Sequence, residues 1–131
     1  MMRILSTLML CAMVIAGTCD AVAAETISFA RDIASVLNAR CASCHLTGQE
    51  DGNLALEPSA AYASLVGKPS VESDLLRVKP GSPQQSYLLL KVEGRHLDAG
   101  GTGARMPFGA TPLDATTIDL LRQWIADGAL P

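Results

Sequence analysis

Cys41-Ala42-Ser43-Cys44-His45 places two thiols three residues apart with an imidazole directly behind the second. At the end of a helix that spacing turns both sulfurs to one face. From there each can form a thioether to a vinyl group of a haem, and the histidine is held where it can ligate iron from below. C-x-x-C-H is the spacing of covalent haem attachment. Two other chemistries use a C-x-x-C pair. A zinc site needs a second Cys/His pair to complete four ligands, and this chain has none. A thioredoxin-like dithiol needs a βαβ setting and no histidine in the next position.

Haem iron held from one side by His45 has a second axial position, for which the candidates are Met106 and His96. Met1, Met2, Met9 and Met13 lie in the first segment of the chain, so Met106 is the one methionine beyond it. It sits in an irregular stretch before Pro107, not on an apolar helix stripe. His96 lies at the start of a polar loop and is expected to face solvent. A Met ligand suits electron transfer, since the soft thioether favours Fe(II) and raises the potential. Met106 facing His45 would also close the iron to oxygen and peroxide.

The first segment reads as a secretory leader. Arg3 is followed by an apolar run free of charge from Ile4 to Cys19, then by Asp20-Ala21-Val22-Ala23-Ala24. A basic start, an apolar stretch and small residues before the cut make a signal peptide over residues 1–24, with cleavage after Ala23 or Ala24. The run is short for a membrane span. Cys19 is a poor match to a lipid-acceptor cysteine, so a lipid-anchored form is the lesser reading. Removal of the leader takes Cys11 and Cys19 and leaves Cys41 and Cys44 without competitors for oxidation. It also takes Arg3 and Asp20, so the net charge of −3 is unchanged. Mild acidity argues against nucleic acid or an anionic membrane as partner. Residues 25–131 make one domain of modest size, poor in aromatics, whose core a flat apolar cofactor would enlarge.

The elements that must position these groups can be read in order. Ser28 caps an amphipathic helix with Phe29, Ile33, Val36 and Leu37 on its stripe, running into Cys41. Residues 46–53 are polar loop and Leu54-Ala55-Leu56 is extended. Ser59 to Val66 is a short helix stopped by Gly67. Leu75 to Lys79 is extended into the Pro80-Gly81 turn. Ser82, Pro83 and Gln85 have the pattern of a capping box with proline at the first helical position. The helix they open carries Tyr87, Leu88, Leu90 and Lys91 and ends before Gly94. Three glycines at 100, 101 and 103 keep the stretch before Met106 irregular and let backbone approach something flat. Asp114 caps a last helix with Ile118, Leu121, Trp124 and Ile125 on its stripe and Gly128 at its end. The first and last helices carry the strongest stripes and should cross and pack through Phe29, Ile33, Leu121 and Trp124. The fold class is all-α.

In this order the pieces resemble a class I mono-haem cytochrome c. They are closest to the planctomycete-type haem-binding cytochrome domain. The resemblance rests on Phe29-x-x-x-Ile33 running into the Cys41 motif, Pro80-Gly81-x-Pro83-x-x-Ser86, Met106-Pro107, and the closing Trp124-Ile125-x-x-Gly128-Ala129. It implies a cytochrome c-like fold with two short helices and long loops around one covalent haem c. It also implies His45 and Met106 as axial ligands. The expected role is that of an exported one-electron carrier, not an enzyme, serving an unidentified redox protein: a dehydrogenase, oxidase or respiratory complex. The alternative is a haem sensor or peroxidase-like enzyme with a labile sixth ligand, for which His96 and Arg105 are the nearby acid–base pair.

Overall fold

The computed structural model describes residues 25–131. The expected leader over residues 1–24, with Cys11 and Cys19, lies outside them. Among the described residues the chain is helical and has no strand, only isolated bridges such as Val66 to Val78 and Leu76 to Ser86. The all-α expectation holds. No helix among these residues is long and apolar enough to cross a membrane.

Ser28 caps the first helical segment as expected. Its hydroxyl accepts from the Arg31 amide, and its own amide donates back to Asp32 at 2.9 Å. The segment does not open as α-helix. Phe29–Ile33 is π-helical, with the Ala34 amide reaching the Phe29 carbonyl, and α1 follows over Ala34–Arg40. In this wider turn Phe29 meets Tyr62 edge-on at 5.3 Å and Trp124 at 5.7 Å. Helix α2 spans Ala61–Leu65, shorter than Ser59 to Val66. Its Leu65 is buried, while Val66 is only half so.

Helix α3 covers Tyr87–Glu93, and its start corrects the sequence reading. Pro83–Gln85 forms a separate 3-10 turn, and Ser82 makes no side-chain cap. The reason is Ser86, fully buried with extended backbone at φ −108° and ψ 109°. Its hydroxyl donates to the Ser82 carbonyl and accepts from the Lys79 amide, each at 2.9 Å. Those bonds turn the chain at 86, and the helix begins one residue later. Five of the seven α3 residues are buried, so this helix runs through the protein and is not laid on its surface. Helix α4, Ala115–Ala126, is capped by Asp114, whose carboxylate accepts from Thr117 at 2.8 Å.

Phe29, Ile33, Leu121 and Trp124 share one core with Leu65, Leu89 and Val92. The first helical segment, Phe29–Ile33, thus packs on the last helix through the expected side chains. The carboxy-terminal tail completes the seal, because the Leu130 carbonyl accepts from the Phe29 amide and from Trp124 Nε1, both at 2.9 Å. Tyr62 donates to the Ala129 carbonyl at 2.9 Å.

Candidate cofactor site

The five-residue motif continues the end of α1 as a run of tight turns. The amides of Cys41 and Ala42 both return to the Leu37 carbonyl, and those of Cys44 and His45 return to the Cys41 carbonyl. Ala42 is buried in the core, which explains a small residue between the cysteines. The extended piece after the loop then clamps the motif, with the Leu56 amide donating to the carbonyls of His45 and Leu46. Sequence-local bonds form the turn, and residues ten positions on fix its place.

Cys41, Cys44, His45 and Met106 all line one cleft of about 640 Å³. Cofactor sites commonly fall in the range of about 300–1,000 Å³. Behind it lies a smaller apolar lobe of about 90 Å³, walled by Leu54, Leu56, Leu65, Leu88 and Val92. Cys41, His45 and Met106 border both lobes. Met106 and His45 are 61 positions apart in the chain. Only the fold brings them to the same cleft.

Both thiols are free, Cys41 half-buried and Cys44 exposed. Burial pushes the Cys41 thiol above its ordinary range, with the Arg40 guanidinium opposing. A reactive dithiol wants the opposite shift. Nδ1 of His45 is buried without a hydrogen-bond partner, and so is Nδ1 of His96 outside the cleft. An unpartnered buried nitrogen costs about 1–3 kcal/mol. Among the described residues no three His, Cys, Asp or Glu side chains converge as a metal cluster. The donors that line the cleft, one imidazole, one thioether and two thiols, are the set a covalently attached haem uses, whereas zinc and calcium sites draw on more Cys/His or oxygen ligands.

His96 departs from the sequence reading. It is buried, 3 % exposed, and its Nε2 bonds the Gly103 carbonyl at 3.0 Å. A 3-10 turn over His96–Ala99 tucks the ring beneath the glycine-rich segment instead of leaving it in solvent. Neither lobe of the cleft is lined by His96 or by Arg105, whose Nε donates to the Val92 carbonyl at 2.8 Å. The glycine-rich segment does approach a flat group, at Gly101. A Cβ on Gly101 would stand 2.3 Å from the Tyr87 hydroxyl, so that close approach is to a tyrosine.

Three cleft residues were missed in the sequence. Lys91, 7 % exposed, donates to Glu72 at 2.9 Å and to the Thr102 carbonyl at 2.6 Å. Tyr87 donates to the same Glu72 oxygen at 3.0 Å. Burial, then the Glu72 carboxylate beside it, pushes the Tyr87 hydroxyl up to about 12. Burial works against ionised Glu72, but the bonds from Lys91 and Tyr87 outweigh it and lower its pKa. A signal was present: Lys91 is the lone cation in the apolar run from Tyr87 to Val92.

The chain was compared with known families, curated proteins and solved structures, and none of them matches it. The chemistry of the cleft therefore rests on this chain's own residues.

Proposed function

We propose that the protein is a mono-haem c-type cytochrome that carries single electrons. In this reading Cys41 and Cys44 supply the two thioether sulfurs, and His45 and Met106 the two axial ligands. The observation that carries it is the convergence of these four residues on one cleft. When bound, haem c supplies a one-electron Fe(III)/Fe(II) couple. The chain does the rest. His45 and Met106 would occupy both axial positions and deny the iron to oxygen or peroxide. The Met106 thioether favours the reduced state. The leucines and valine of the inner lobe exclude water from one side. The leader read over residues 1–24 sends the carrier to the periplasm or otherwise outside the cytoplasm, where its donor and acceptor would be redox proteins.

The test is acid–acetone extraction of the denatured protein, followed by spectra of the oxidised and reduced forms. Haem should stay with the polypeptide, and the reduced protein should not take up CO readily. Haem leaving with the solvent would overturn covalent attachment. Ready CO binding would replace the carrier with a sensor or peroxidase-like protein.

A further inference from the structure

The segment carrying Met106 is tied to α3 by backbone and side-chain bonds. Met106 donates its amide to the Lys91 carbonyl at 3.1 Å, and Arg105 reaches the next carbonyl, that of Val92. Lys91 grips the segment a second time, with its ammonium on the Thr102 carbonyl. The same ammonium bonds Glu72 across the cleft wall and lies 5.6 Å from the centre of the Tyr87 ring.

A lysine buried to this degree is costly unless paired, and a buried pair contributes little net stability over apolar residues of similar volume. Leucine or methionine would suit the apolar run around position 91 at least as well. What the ammonium adds is a tie between two loops, the one bearing Glu72 and the one bearing Met106. We propose that Lys91 is a positioning residue that holds the Met106 loop at the cleft for axial ligation. This inference rests on the haem reading above.

The experiment compares the purified haem-loaded parent with Lys91→Leu, which suits the apolar run, removes the donors and adds no thioether to the cleft. Three readouts are taken: covalently retained haem, the long-wavelength iron–thioether absorption band of the oxidised protein, and cyanide affinity. Lys91→Leu should retain its haem and show a weakened band. A roughly tenfold larger Met106-detached population should raise the apparent cyanide affinity about tenfold. Lys91→Arg, able to donate to both oxygens, should restore most of the band. A Lys91 that serves stability alone would lower the unfolding midpoint and leave band and cyanide affinity as in the parent, which overturns the proposal. If Lys91→Leu does not fold, Lys91→Gln is read by the same two criteria. A parent without covalent haem overturns the haem reading and this inference together. A parent with haem and band, matched by an unaltered variant, overturns this inference alone.

Discussion

Gly101 lies against Tyr87 so closely that an added Cβ would stand 2.3 Å from the hydroxyl and 2.7 Å from the ring, with the His96 carbonyl at 2.8 Å. One of those neighbours is backbone and another a buried ring, so neither can yield easily. Gly101→Ala should therefore destabilise the protein by about 1–3 kcal/mol, as overpacking does. Denaturant unfolding checks this, and an unchanged midpoint would show that Tyr87 is free to move.

Trp124 is fully buried against Phe29 and donates to the Leu130 carbonyl. Trp124→Ala should cost about 3–5 kcal/mol. Val71 is 59 % exposed, and Val71→Ser should stay within about 0.5 kcal/mol of the parent. Equal midpoints for the two variants would place Trp124 outside the core.

Met106 and His96 should separate cleanly. In the haem-loaded protein, Met106→Ala should abolish the iron–thioether band, lower the potential and open the iron to cyanide. His96→Ala should leave the band in place, since the ring does not border the cleft. It should still lower the unfolding midpoint by about 1–3 kcal/mol, because the buried Gly103 contact is lost. Opposite results would make His96 the ligand.

Glu50 caps the loop that follows the motif. Burial opposes its ionisation, but bonds from the Thr47 hydroxyl and from the Thr47 and Gly48 amides outweigh that and hold the carboxyl at about 2. The folded value lies below the unfolded one. This stabilisation is therefore complete above the ordinary carboxylate range and is lost as pH falls from about 4.5 toward 2. Unfolding midpoints taken across that window should fall less steeply in Glu50→Gln than in the parent.

The sequence alone determined what depends on short spacing. Cys41, Cys44 and His45 are brought together by a single turn, the caps at Ser28 and Asp114 act on residues three or four along, and the stripes of the first and last helices name their own core residues. Met106 could be nominated without the fold, because the other methionines lie in the first 24 residues, the stretch read as a leader. Tertiary structure decided everything that depends on what lies across a gap. It buried His96, because a 3-10 turn folds the ring under Gly103. It replaced the expected capping box with a turn at Ser86, whose buried hydroxyl bonds the Lys79 amide and the Ser82 carbonyl. It set Tyr87 against Gly101 and joined Lys91 to Glu72 and Thr102, partners 19 and 11 residues away. Periodicity records which face of an element is apolar. It does not record which distant carbonyl or carboxylate will stand opposite a polar side chain, and a buried charge is decided by that partner.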